Sequence, residues 1–256
     1  MRFESNGVKK EKLFKVKDYM YMAYIAMFLM FVVLLVVLSL LSSAALMLTA
    51  DTMTTPGTGI LGISILVMVY VAPMFILVRW YHQFIKGRAK TPFGRQFGWL
   101  LAGVVIYTVS TLVIGYFFYA GEGPDIISIP EGRSIFFIPV YIIGMVILLP
   151  MFEEYLMRGV LIERFFTFPS ELTTYYQSVL YRFGIQEHHI RISILYVIQI
   201  VVFTLLHADG SNASVLLNAI LGALLTTVYL KTRAIWVPVM LHASVNIIGL
   251  MMIIGN

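Results

Sequence analysis

From Tyr19 to Thr49 the chain runs without a single Asp, Glu, Lys, Arg or His. The hydrocarbon core of a bilayer takes about 20 helical residues. This run exceeds that length, so it predicts a tilted span or one with an interfacial end. Further apolar segments follow at about 60–85, 97–119, 134–166, 190–207, 213–230 and 235–254. They are continuous and do not alternate with polar residues, which excludes a transmembrane β-barrel. The chain is 60% hydrophobic and 12% charged, with a mean hydropathy of +0.89. No soluble single domain hides that much apolar surface. The expected fold class is all-α, a polytopic transmembrane helical bundle of about seven spans.

The basic residues predict its orientation. Of 18 Lys and Arg, the N-terminal tail holds six and the loops after spans two, four and six hold four, three and two. The opposite loops hold only Arg133, while Arg79 and Arg158 lie inside spans. By the positive-inside rule the N-terminus is cytoplasmic and the C-terminus lies outside. The net charge of +5 is thus topogenic and implies no nucleic-acid partner. Zero cysteines exclude disulfides, thiol catalysis and thiolate metal sites. The first apolar run is too long for a signal-peptide core and lacks a small-residue cleavage site, so no cleavable signal is expected.

Three regions follow: a basic cytoplasmic tail over 1–18, spans one to three with their loops over 19–133, and a helical core over 134–256. Asp51–Gly59 reads as a turn-rich loop, and Pro73 as a kink in the second span. Arg79 and His82 sit where they would snorkel to the interface. Within the longest connection, Leu172, Tyr175, Tyr176, Val179, Leu180 and Phe183 recur at helical spacing, with Ser170 and Gly184 as caps. This predicts an amphipathic helix at about 171–183, lying in the membrane interface.

Against this background Glu153, Glu154 and Arg158 stand out, because a charge at membrane depth costs roughly 2.5–3.5 kcal/mol or more. Glu154 and Arg158 are four apart and share a helix face, so an ion pair is expected. Glu153 lies about 100° round the helix and is left without that partner. His242 and Asn246 are also four apart. Phe203 precedes His207 by one turn and can pack on its imidazole. Counted along straight helices from the cytoplasmic side, Glu153 lies roughly 15–18 Å deep, His207 roughly 22–25 Å and His242 roughly 10–13 Å. Tilt and proline kinks must close that spread, with the Ala208–Asn212 turn dipping into the protein. A carboxylate beside an imidazole can activate water. A second histidine and a carboxamide can supply donors to a developing oxyanion. The parts suit hydration of a carbonyl, and Glu153, His207 and His242 equally read as a zinc site. A proton-coupled carrier is a competing use of such a cluster, which the lack of an internal repeat disfavours.

Glu153-Glu-Tyr-Leu-Met-Arg158 resembles the E-E-x-x-x-R motif of the CPBP family, the CAAX-processing and bacteriocin-processing intramembrane proteases also called the ABI family. Phe203-Thr-Leu-Leu-His207 resembles its F-x-x-x-H motif and His242-Ala-Ser-Val-Asn246 its H-x-x-x-N/D motif, in the family's order. Arg233-Ala-Ile-Trp236 resembles the turn before the last motif. The resemblance covers about Pro150–Asn246. It implies an endopeptidase in which Glu153 activates water with help from His207. His242 and Asn246 then stabilise the oxyanion, and Glu154, Arg158 and Phe203 support the site. The expected chemistry is metal-independent, with zinc on Glu153, His207 and His242 as the alternative. The implied partners are the bilayer and a peptide or protein substrate, lipidated or a bacteriocin or signal-peptide precursor. Separately from the resemblance, the compact loops and lack of extra domains lead to the expectation of a multi-pass protein of a bacterial plasma membrane. A non-proteolytic scaffold or bacteriocin self-immunity protein is the family's other expected use.

Overall fold

The computed structural model describes Val37 and residues 56–86, 91–118, 142–163, 187–208 and 210–254. The chain divides into two units, Met1–Met47 and Leu48–Asn256. In the first, Val37 is helical; everything below concerns the second. The expected interfacial helix at 171–183, the basic tail and nearly all of the first span lie outside the described residues.

Among the described residues every element is helical. Helix α1 is Pro56–Ile85 and α2 is Phe93–Phe118. A continuous helical stretch follows, in which a short α-helix, α3 at Leu149–Glu154, is flanked by π-helical segments at Ile142–Leu148 and Tyr155–Ile162. Then come α4 at Glu187–His207, α5 at Asn212–Thr232 and α6 at Trp236–Ile254. Where residues are described, helices occupy the expected apolar segments, with two shifts of boundary. Residues Pro56–Gly59 are helical and not loop, since a proline is well suited to a helix's first turn. Helix α2 begins at Phe93, which brings Arg95 into the helix.

Helices α2 and α5 are long and apolar enough to cross a membrane. On α2, Leu101, Val105, Val109, Leu112 and Phe117 are exposed large apolar side chains along the helix. In water such a face would be a liability; against lipid tails it costs nothing. Helix α5 lies at the centre and packs on α4, α2 and α6, while α1 packs on the second π-helical segment. Leu100, Phe203, Leu221, Leu225, Val237 and Leu241 form one core cluster; Tyr81, Ile162, Leu195, Tyr229 and Ile235 form another. At Gly103 a Cβ would stand 2.7 Å from a methyl of Leu241, so the missing side chain lets α2 approach α6 closely.

The termini of α5 are well specified. The Ser211 hydroxyl accepts the Ser214 N–H at 3.2 Å as N-cap. At the other end Arg233 takes a left-handed backbone (φ 53°), and its N–H donates to Tyr229 O at 2.7 Å. That conformation costs a residue with a Cβ about 1–2 kcal/mol and persists because contacts over-determine it. The Arg233 guanidinium pairs with Glu163 Oε1 at 3.2 Å, and the Tyr229 hydroxyl donates to the same oxygen at 2.7 Å. Next to this turn the Trp236 indole N–H donates to Gln96 Oε1 at 2.6 Å, while the Gln96 amide donates to Thr91 O. The Thr91 hydroxyl donates to Thr232 O at 3.0 Å, and Phe93 stacks on Trp236 with centroids 5.6 Å apart. Ion pair and clasp together pin one end of α2, α5 and α6 to the end of the second π-helical segment.

Candidate active site

Glu153 and Glu154 close α3, and both are buried. Arg158 lies four residues on and is fully buried, with its guanidinium 2.9 Å from Glu154 Oε1. The expected ion pair is therefore present. The same guanidinium reaches Gly222 O at 3.5 Å and lies 5.1 Å from the Phe203 ring centroid. Glu154 Oε1 also accepts from His242 Nδ1 at 3.1 Å. Since a carboxylate of an ion pair only accepts, that ring nitrogen carries hydrogen. Glu154 thus joins the arginine of its own helix to the histidine of α6.

Glu153 points elsewhere. Its Oε2 lies 3.4 Å from His207 Nε2 and 3.8 Å from His242 Nδ1. No hydrogen-bond partner satisfies that oxygen among the described residues. His207 closes α4, and its Nδ1 is 2.8 Å from Phe203 O. A carbonyl can only accept, so Nδ1–H donates and the Nε2 of a neutral ring turns a lone pair toward Glu153. Phe203 stacks on His207 as expected, with centroids 4.1 Å apart and planes at 16°. It also meets His242 edge-on at 5.5 Å. A Cβ on Gly222 would come within 3.2 Å of Phe203 Cβ, so the α5 backbone supports the ring from behind. The imidazoles themselves stand 6.0 Å apart.

The depth spread counted along straight helices does not keep these groups apart. Glu153, His207 and His242 each offer a ligand atom, all within 4.8 Å of one another. Two imidazoles and a carboxylate, half-buried to buried, suit a zinc ion in donor type and number. Asn246 takes a separate direction. Its Nδ2 donates to Met145 O at 2.7 Å, inside the first π-helical segment. A primary amide has two hydrogens, so one remains for another acceptor. Gln199 had no place in the sequence reading. It is buried on α4 and donates from Nε2 to Met157 O at 3.0 Å. Its spacing of four from Phe203, and of four again to His207, was the signal that could have found it.

Residues 135–248 match the Rce1-like family, described as type II CAAX prenyl endopeptidase Rce1-like, which belongs to the CPBP family. That range contains all three motifs and every residue of the site. No curated protein and no solved structure matches the chain. The family is one of proteases, and with the apolar helices it points to an integral membrane protein and a peptide or protein substrate.

Proposed function

We propose, from the premise that residues 135–248 are a CPBP-family region, that the chain is an intramembrane endopeptidase with Glu153 as its base. The observation that carries this reading is the Glu153 carboxylate oxygen with no hydrogen-bond partner among the described residues, 3.4 Å from His207 Nε2. Side by side, the carboxylate and the imidazole present two acceptors to a water in front of them, and either can take one of its hydrogens. Its remaining lone pair then faces a scissile carbonyl. Glu153 takes a proton as the water oxygen bonds to the carbonyl carbon. The oxygen left negative accepts hydrogen bonds from the second N–H of Asn246 and from Nε2–H of a His242 imidazolium, whose Nδ1–H stays on Glu154. The proton held at Glu153 passes to the leaving amine as the C–N bond breaks. Glu154 and Arg158 keep His242 in place, and Phe203 fixes the plane of His207.

The residues that would hold zinc, if the reaction uses it, are Glu153, His207 and His242, and the ion would polarise the same water. We favour the metal-independent route, since Glu153 and His207 by themselves supply both contacts to the water. The substrate we propose is a membrane-associated protein or peptide, with a prenylated CAAX peptide first among the candidates. The apolar runs and the Lys/Arg distribution support seven spans with the N-terminus in the cytoplasm.

Purified protein in lipid nanodiscs, given a farnesylated CAAX peptide carrying a fluorophore and quencher, tests the reading. Glu153→Gln and His207→Ala should each lower cleavage by about a thousandfold or more while the chain stays folded by circular dichroism. Retained cleavage in Glu153→Gln sinks the mechanism. Inhibition by 1,10-phenanthroline that added zinc reverses would replace the metal-independent route.

A further inference from the structure

The helical stretch that carries the site changes its winding twice, and each wide segment has a backbone carbonyl held by a carboxamide from another helix. Met145 O, in the segment before α3, takes the N–H of Asn246 at 2.7 Å. Met157 O, in the segment after it, takes the N–H of Gln199 at 3.0 Å. Asn246 lies one turn from His242 on α6, and Gln199 lies two turns from His207 on α4. Gln199, Phe203 and His207 therefore meet the glutamate helix at three successive heights: on the Met157 carbonyl, against Arg158, and on Glu153.

The wide winding has a geometric purpose. Glu154 faces the site, and Glu163 faces the ion pair with Arg233. In an α-helix residues nine apart point about 180° away from each other. A π-helix, at roughly 4.4 residues per turn, brings the same two residues to within about 20°. Residues Tyr155–Ile162 supply that turn, which lets both buried carboxylates face inward. A π segment is an uncommon winding that reverts to α unless its surroundings hold it. The Gln199 amide is one such hold. It is 1% exposed, and only its NH2 end can face a carbonyl, so its orientation is unambiguous.

We propose that Gln199 is a positioning residue that fixes the π-helical turn after Glu154 and thereby sets Glu153 against His207. Its kinetic part rests on the protease reading above. The test uses the full chain in nanodiscs, with the farnesylated CAAX peptide as probe. Gln199→Met keeps the length of the side chain and removes the N–H. It should lower kcat about 10–100-fold with KM for the probe within twofold. Amide hydrogen exchange in residues 149–163 should quicken at least fivefold, with residues 212–232 unchanged. Gln199→Glu can donate to Met157 O only as the protonated acid. Its kcat relative to wild type at the same pH should therefore rise as pH falls, a trend Gln199→Met should lack. A kcat within twofold of wild type in Gln199→Met overturns the proposal. So does faster exchange spread evenly over the chain, or a fall in kcat with exchange in 149–163 unchanged. If the wild-type chain cleaves no probe, the protease reading is what has failed, and the exchange pattern alone decides whether Gln199 holds the turn.

Discussion

Glu153 and Glu163 are buried carboxylates on one continuous helical stretch, and they are treated in opposite ways. Glu163 Oε1 takes the Tyr229 hydroxyl at 2.7 Å and the Arg233 guanidinium at 3.2 Å. Glu153 Oε2 faces two imidazoles at 3.4 and 3.8 Å with no hydrogen bond to satisfy it among the described residues. The first arrangement is closed: a buried charge with an opposite charge and a hydroxyl already on it has nothing left for a substrate. The second is open, and it opens toward His207, whose side chain is 25% exposed. Glu154 lies between them in sequence and is intermediate: its Oε1 is taken by Arg158 and His242, while its Oε2 has no hydrogen-bond partner among the described residues. Burial alone thus fails to separate a carboxylate already engaged from one open to a further contact; the number of committed partners separates them.

That contrast can be broken in graded steps. The largest effect on folding should come from Arg158→Met, which strands the Glu154 charge at full burial and should cost about 3–5 kcal/mol, read from thermal unfolding in detergent. The double variant Arg158→Met with Glu154→Gln removes both charges and should regain most of that stability without regaining cleavage. Equal stability of the single and double variants would deny Glu154 its role as the arginine's partner. Glu163→Gln should cost about 1–3 kcal/mol through the lost charge on Arg233. Because this cluster is closed, kcat per folded chain should stay within threefold. A hundredfold loss would mean the two clusters are not functionally distinct. The smallest effect should be that of Trp236→Phe, which deletes the hydrogen bond to Gln96 and keeps the stack on Phe93. About 1 kcal/mol is expected, with cleavage unchanged.

Much of the site was legible because charge in an apolar run is conspicuous and helical spacing is strict. Glu154 with Arg158, and Phe203 with His207, pair as four-residue spacing requires. What spacing could not supply was the winding. An α-helical count treats Glu153–Glu163 as one regular helix, whereas the π turn is chosen by tertiary contacts and has no residue signature of its own. Gln199 escaped attention because a lone neutral amide does not stand out as a carboxylate does, and its partner is a backbone carbonyl that sequence does not display. The same holds for the Asn246 bond to Met145 O. The helix at Pro56–Gly59 was hidden by residues that favour turns, although a proline fits the start of a helix as well as a bend.

The eight residues Tyr155–Ile162 work as a coupling between two rigid ends. Adding or losing one residue there would scarcely alter how far the polypeptide reaches across the bilayer. It would rotate one end of the rod relative to the other, and a carboxylate at one end would swing out toward lipid. Between homologues, length variation within this octet should therefore be scarcer than in the connections on either side, even where side-chain identities drift.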